Sequence, residues 1–209
     1  MQPSSGMTIV DKDDLPKEIL TERTLIRVGR PADLAEIRAW PYYTGLWGDM
    51  SMTVEAARSK DGRYWWERGE EADRCQYSVV SGSTGRLIGV HALVRIDWAK
   101  RVVGNMGVRI HPDLCGKGYG TESLGALLQA VLRSGIRCIR LDVAATNERA
   151  VRCYQKCGMR ITEEWWREGK GPSDPEAPEW APLLQHFRRQ AEAWAVRFYW
   201  MEILADPTA

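Results

Sequence analysis

The sequence predicts an α/β fold of the α+β kind, a single mixed and mostly antiparallel central sheet flanked by helices. Three observations predict it. Short apolar runs separated by turn residues fill the first half, a strongly periodic helix follows a glycine-rich loop, and strand, helix and strand patterns succeed it. With 209 residues the chain suits one domain and is long enough to bury a sizeable core.

Taken in order, residues 1 to 20 are polar and without period, and read as a flexible N-terminal arm ahead of a single domain over 21 to 209. A strand at 24 to 28 leads through Pro31, a residue favoured at a first helical position, into a helix from Ala32. Thr53 suits the cap of a second, irregular helix towards Glu71, with a break at Gly62. Strands at 76 to 80 and 87 to 96 flank the tight SGSTG turn, and a third runs from 102 to 110. Leu124, Leu127, Leu128, Val131 and Leu132 follow the i, i+3, i+4, i+7, i+8 spacing of a helix with one buried face, which Gly135 stops. A strand at 139 to 143, a helix at 147 to 157 ended by Gly158, and a strand at 159 to 165 come next. An insertion at 168 to 194 holds a proline-rich turn and an amphipathic helix with Trp180, Leu183, Leu184, Phe187, Ala191 and Trp194 on one side, beginning near Pro182. A strand at 196 to 204 closes the chain.

The formal net charge is +1, so no long-range field favours nucleic acid or an anionic membrane, and no stretch approaches the roughly 20 apolar residues of a span. Five cysteines without a CxxC pair, behind a start that lacks a basic and then apolar leader, indicate a reduced, cytoplasmic protein. Cys153 and Cys157 share a helix face without a nearby histidine, so they read as packed thiols and no metal site is expected.

The segment with most chemical content is VRIHPDLCGKGYGTE, residues 108 to 122, where a strand ends and the periodic helix begins. A helix start presents unpaired N–H groups and the positive end of its dipole, which suits an anion. Gly116, Gly118 and Gly120 let the backbone curl closely around a phosphate. Gly118 follows Gly-Lys where a Walker loop needs Ser or Thr, and Thr121 stands where a dinucleotide fingerprint needs another spacing. Both common nucleotide readings fail.

HPDLCGKGYGTE resembles the acetyl-CoA loop of the GNAT superfamily, [QR]-x-x-G-x-[GA], with Gly118 and Gly120 matching and Cys115 in place of Gln or Arg. A second patch, Asn147 to Gly158, is similar to that family's N-x-x-A-x-x-x-Y-x-x-x-G helix. The opening LTERTLIRVGRPADLAEI is similar to the subgroup of ribosomal-protein N-terminal acetyltransferases. The resemblance implies a GNAT-like domain in which Cys115, Gly116, Lys117, Gly118, Tyr119, Gly120 and Thr121 hold the pyrophosphate of acetyl-CoA, mainly through backbone amides. It further implies that the backbone of Val108, Arg109 and Ile110 pairs with pantetheine, that Asn147 contacts the same arm, and that Tyr154 protonates the leaving thiolate.

The implied reaction is direct attack of a neutral amine on the acetyl thioester, which needs the donor held, the amine deprotonated, the oxyanion stabilised and the sulfur protonated. Relatives often carry Glu where Asn105 stands, and an amide is no base at neutral pH. His91, Asp97 and Glu55 are the substitutes the sequence offers. The acceptor is a small-molecule amine or a peptide N-terminus. Trp40, Tyr42, Tyr43, Trp47, Trp65 and Trp66, and then Trp165, Trp166, Trp180 and Trp194, suit an acceptor wall, a homodimer contact or core. A non-catalytic acyl-CoA sensor or scaffold is the alternative that Cys115 and Asn105 permit.

Overall fold

A computed structural model describes residues 10–44, 71–168, 176–190 and 193–206. The helix expected from Thr53, with Trp47, Trp65, Trp66 and Glu55, lies outside these residues.

The described residues form one mixed sheet of β1 (Glu18–Leu20), β2 (Thr24–Val28), β3 (Cys75–Ser81), β4 (Leu87–Asp97), β5 (Val102–Ile110), β6 (Cys138–Ala144), β7 (Arg160–Glu168), β8 (Phe187–Gln190) and β9 (Ala193–Leu204). Their order is β1-β2-β3-β4-β5-β6-β9-β7, with β8 also paired to β9. Only β5 and β6 run parallel, so the mixed, mostly antiparallel sheet is as expected. The α-helices among the described residues are α1 (Asp33–Ala39), α2 (Tyr119–Arg133) and α3 (Glu148–Lys156).

The periodic residues of α2 explain its position. Leu124, Leu127, Leu128 and Val131 are fully buried and join one cluster with Val79, Leu93, Val103, Ile139 and Met201 of the sheet. Each such side chain contributes roughly 1.5–3 kcal/mol on burial. The short α1 covers the other face with Leu34, Ile37 and Trp40 against Leu87 and Val90. Among the described residues no helix is long and apolar enough to cross a membrane.

The sheet forks at its centre. β5 and β6 pair only at Val102↔Cys138 and Val103↔Ile139, and then part. Beside the fork the β4–β5 ladder steps from Val94↔Asn105 to Ile96↔Val103, skipping Arg95 and Gly104. Arg95 takes φ 57°, and a Cβ on Gly104 would lie 3.0 Å from the Arg95 carbonyl oxygen, so only glycine lets the two backbones approach there.

Two expectations need correction. The polar arm does not extend to residue 20: Val10 and Leu15 are buried, and β1 pairs with β2. Val10 packs so closely on Gly135 that a Cβ there would meet it at 2.7 Å, and two apolar anchors suffice to dock a polar stretch. Among its described residues the insertion holds no amphipathic α-helix, because Phe187–Gln190 pair with the closing strand instead. It forms a 3-10 helix at Pro178–His186 and then β8, which takes up beside β9 at Phe187↔Val196 where β6 leaves off at Ala144↔Phe198.

Candidate active site

The loop between β5 and α2 is shaped by its glycines. After a 3-10 turn at Pro112–Leu114, Gly116 and Gly118 take φ 77° and 87°, and Gly118 caps α2 without any side-chain hydrogen bond. The first N–H groups of a 15-residue helix are therefore left to an outside acceptor. A Cβ on Gly116 would meet nothing within 4 Å, so its requirement is the dihedral alone, whereas on Gly118 it would come within 3.1 Å of Arg23 Nη2.

Arg23, a loop residue that no local sequence pattern singles out, joins the site. Its Nη1 donates to the Lys117 carbonyl at 3.2 Å and its guanidinium lies 4.5 Å over the Tyr119 ring. Glu122, an acid in the first turn of α2, is turned away from the loop. Its carboxylate accepts from Thr21 Oγ1 at 2.6 Å, Arg23 N at 2.8 Å and Arg23 Nε at 2.6 Å. Burial works to raise its pKa, but these donors prevail and hold it below the ordinary carboxylate value. The negative charge is thereby tied to the β1–β2 turn.

A cavity of about 530 Å³ opens beside the loop. Of the residues expected at a coenzyme, Val108, Ile110, Cys115, Gly116, Gly118, Gly120, Thr121, Asn147 and Tyr154 line it. Arg109, Lys117 and Tyr119 do not: Arg109 Nη1 folds back on the Val108 carbonyl at 2.8 Å, and the other two serve Arg23. Arg149, Arg152 and Lys156 line the same cavity from α3, a cationic stripe whose i, i+3, i+7 spacing was open to inspection in the sequence. A Cβ-free curl, an open helix N-terminus and three cations fit a diphosphate. Cys115 adds no charge, since burial pushes its thiol pKa up and its sulfur lies 3.7 Å from the carbonyls of Ile110 and His111.

The fork supplies the rest of the site. His111 N donates to the Ile88 carbonyl at 2.8 Å, and antiparallel alternation from that bond turns the backbone groups of Met106, Val108 and Ile110 away from β4 and into the fork. The Ile110 carbonyl accepts from the Tyr43 hydroxyl, and Met106 N donates to Asn105 Oδ1 at 2.7 Å. The N–H groups of Val108 and Ile110 thus face the fork and not β4. Burial of Tyr154 on α3 pushes its hydroxyl well above the ordinary phenol value, against the opposing charge of Arg109, so it is held protonated. Asn147 caps α3 by accepting from Ala150 N at 3.2 Å. Thr121 Oγ1 of α2 donates to the half-buried Cys153 sulfur at 3.5 Å, and the buried Cys157 thiol donates to the Thr121 carbonyl at 3.4 Å and lies against Gly125, so these thiols pack the two helices together.

The residues considered as bases divide sharply. His91 is fully buried under α2, with Nε2 2.9 Å from Ser123 Oγ, and burial pushes its pKa down to about 4. Asp97 sits at the β4–β5 hairpin, ion-paired to Lys100 at 3.0 Å. Neither faces the fork. Asn105 does, but its side chain is a clamp: besides Met106 N, its Nδ2 donates to Asp142 Oδ1 at 2.7 Å. Asp142, which the sequence reading passed over, also accepts from Arg167 Nη2 at 2.9 Å. Arg167 in turn lies 4.1 Å over Phe198 and 4.6 Å over Trp165.

Residues 34–159 match the model of the acetyltransferase (GNAT) family. The mycothiol acetyltransferase of Propionibacterium freudenreichii subsp. shermanii is 30% identical over 112 residues, 53% of this chain and 34% of that protein. That of Actinosynnema mirum is 29% identical over 113 residues, 52% of this chain and again 34% of its own length. The chain thus spans about a third of the curated relatives it matches. Among solved structures, an acetyltransferase of the GNAT family from Bacillus anthracis superposes with TM-score 0.63 at 20% identity, over 90% of this chain and 98% of that one. Spermidine/spermine N-acetyltransferase SpeG from Vibrio cholerae does so with TM-score 0.60 at 16% identity, over 88% and 93%. At these identities the likeness is one of fold.

Proposed function

The chain belongs to the acetyltransferase (GNAT) family, and from that premise we propose that it transfers the acetyl group of acetyl-CoA directly to a primary amine. The observation that carries the reading is the loop. An uncapped helix N-terminus, two glycines at positive φ and a stripe of three cations converge on one cavity that also reaches Tyr154.

Acetyl-CoA, when bound, supplies an acetyl group activated as a thioester. The amides of residues 116 to 121 hold the diphosphate, with Arg149, Arg152 and Lys156 alongside. Val108 N–H is the donor for charge developing on the reacting carbonyl oxygen, where a fixed dipole in a dry site acts most strongly. Tyr154 keeps a proton at Oη and delivers it to the departing sulfur. Asn147 orients the arm of the donor.

The acceptor is a small-molecule amine or a peptide N-terminus. The names of the mycothiol and spermidine acetyltransferases support the first, and the opening segment, similar to ribosomal-protein N-terminal acetyltransferases, supports the second. Five free thiols support a reducing, cytoplasmic setting. Calorimetry with acetyl-CoA, followed by thiol release against spermidine, a glucosaminyl amine and short peptides with free N-termini, tests the reading. Binding with release on at least one amine is expected. Binding without release on any favours the non-catalytic sensor, and no binding removes the site assignment.

A further inference from the structure

The reaction proposed above leaves the thiols of the cavity without a task. Of the five cysteines, Cys75, Cys138 and Cys157 are buried, whereas Cys115 and Cys153 are half-buried and line the cavity, one from the loop and one from α3. Their hydrogen bonds divide the two that reach the cavity. Cys115 is a donor, its sulfur 3.7 Å from the carbonyls of Ile110 and His111, and these bonds need its proton in place. Cys153 is an acceptor, since Thr121 Oγ1 donates to its sulfur at 3.5 Å. A bond received by sulfur favours the thiolate and a bond given by it favours the thiol. Only the thiolate is a strong nucleophile.

Three further features favour charge on Cys153. A Cβ on Gly120 would lie 3.7 Å from its sulfur, so the sulfur rests on the first turn of α2, at the helix end that no side chain caps. The positive end of a helix dipole stabilises a thiolate at such a place. Arg149, Arg152 and Lys156 line the same cavity. Cys157, one turn further along α3, gives its proton to the Thr121 carbonyl at 3.4 Å and is within reach to turn it to Cys153 when that sulfur ionises. The bond from Cys157, opposed by burial and joined by Thr121, Lys156 and Arg149, draws the Cys153 pKa below the ordinary thiol value, and the same bond pushes that of Cys157 up. The pair therefore splits into a nucleophile that faces the cavity and a buried thiol that keeps its proton.

Room and charge define the reagent. The cavity holds about 530 Å³ and carries three cations, so a small molecule bearing carboxylates is drawn towards the sulfur. We infer that Cys153 is a reversible modification site for small anionic disulfides, and that the adduct closes the cavity to its coenzyme. The Cys153 thiol first loses its proton to water. Its thiolate then attacks one sulfur of the disulfide, a new S–S bond forms as the old one breaks, and the electron pair leaves with the other sulfur, which takes up a proton from water. Cys153 is oxidised and the departing half of the reagent is reduced, so no further oxidant is needed. An external thiol reverses the exchange by the same route. The modification stands on the surroundings of the thiol itself, and only its effect on coenzyme binding rests on the acetyltransferase reading.

The test uses the full chain, reduced and freed of reductant, with oxidised glutathione as the anionic disulfide and hydroxyethyl disulfide as the neutral one. Intact mass and peptide mapping should show a first adduct on Cys153, formed at least about tenfold faster than on any other thiol. Its rate should reach half its limit at a pH below the roughly 8.5 of a free thiol. Relative to free cysteine, the chain should prefer oxidised glutathione over the neutral disulfide by about threefold or more. Acetyl-CoA at about a hundred times its dissociation constant should slow the adduct by about tenfold or more, and the adduct should abolish acetyl-CoA binding in calorimetry until dithiothreitol restores it. In Cys153→Ser, oxidised glutathione should leave acetyl-CoA affinity within about twofold of the untreated variant. A first adduct on Cys115 or elsewhere, or a Cys153 adduct that leaves acetyl-CoA binding intact, overturns the inference and spares the acetyltransferase reading. A Cys153 adduct in a chain that binds no acetyl-CoA upholds the modification site and removes the coenzyme from the cavity.

Discussion

Tyr154 is the residue on which site and chemistry meet. It is buried, its phenol is held protonated by that burial, and it lines the cavity from α3, which suits the proton-donor role proposed for it. Tyr154→Phe removes the proton and almost no volume. Its kcat should fall by roughly 10²-fold with acetyl-CoA affinity nearly unchanged, read by steady-state kinetics beside calorimetry. Unchanged turnover at saturation takes Tyr154 out of the mechanism. The glycines separate geometry from room. Gly116→Ala and Gly118→Ala both force a side chain to positive φ, at about 1 kcal/mol each, but only the second also meets Arg23. Gly118→Ala should therefore weaken acetyl-CoA binding more than Gly116→Ala, with comparable losses in melting temperature; equal affinities mean that the Arg23 contacts at Lys117 and Tyr119 do not shape the loop for the ligand. Gly118, Asn147 and Tyr154 were legible because each sits in a local pattern with its neighbours. Asp142 and Arg23 were not, since their partners lie 37 and 99 positions away. No window of sequence holds both ends of such a contact.

At the scale of elements, α1 is too short to stand by propensity and is fixed by one buried knot. Arg27 grips Asp33 with two bonds of 2.8 and 2.6 Å, and Ser78 Oγ adds a third at 2.6 Å, which joins β2, α1 and β3. Burial works to raise the Asp33 pKa, but Arg27, Ser78 and Arg30 N prevail and lower it. A depressed carboxylate stabilises above its unfolded value and loses that contribution as pH falls through the folded one. Asp33→Ala should cost about 3 kcal/mol at neutral pH by stranding Arg27, and the gap from the parent in thermal melts should narrow below about pH 4. A gap that persists in acid points to packing instead. Elements whose identity rests on one clean period were readable: α2 from its leucines, and β5, β6 and α3 from the punctuation of Gly135 and Gly158. The segment after residue 176 was not. Its apolar spacing fits a helix and an alternating strand almost equally, and pairing of Phe187–Gln190 with β9, a tertiary event, decides between them.

At the scale of the whole molecule, the sheet is two ladders, β1 to β5 and β6 to β7, whose backbones meet at two register pairs. The fork exposes strand donors that an ordinary sheet would consume, and this is how the fold obtains a binding edge at its centre instead of at its rim. A ligand lying in the fork joins the ladders, so its binding should be felt as stability. At a hundred times its dissociation constant acetyl-CoA adds about 2.7 kcal/mol, which for a chain of this size raises the melting temperature by roughly 5 to 10 °C. Location matters more than magnitude. Hydrogen exchange at the amides of Val108 and Ile110, which face the fork, should slow on binding more than at Arg109, whose N–H already lies on the β4 side of the ladder. A melting shift with protection confined to other strands places the coenzyme elsewhere, and the fork then has no part in holding it.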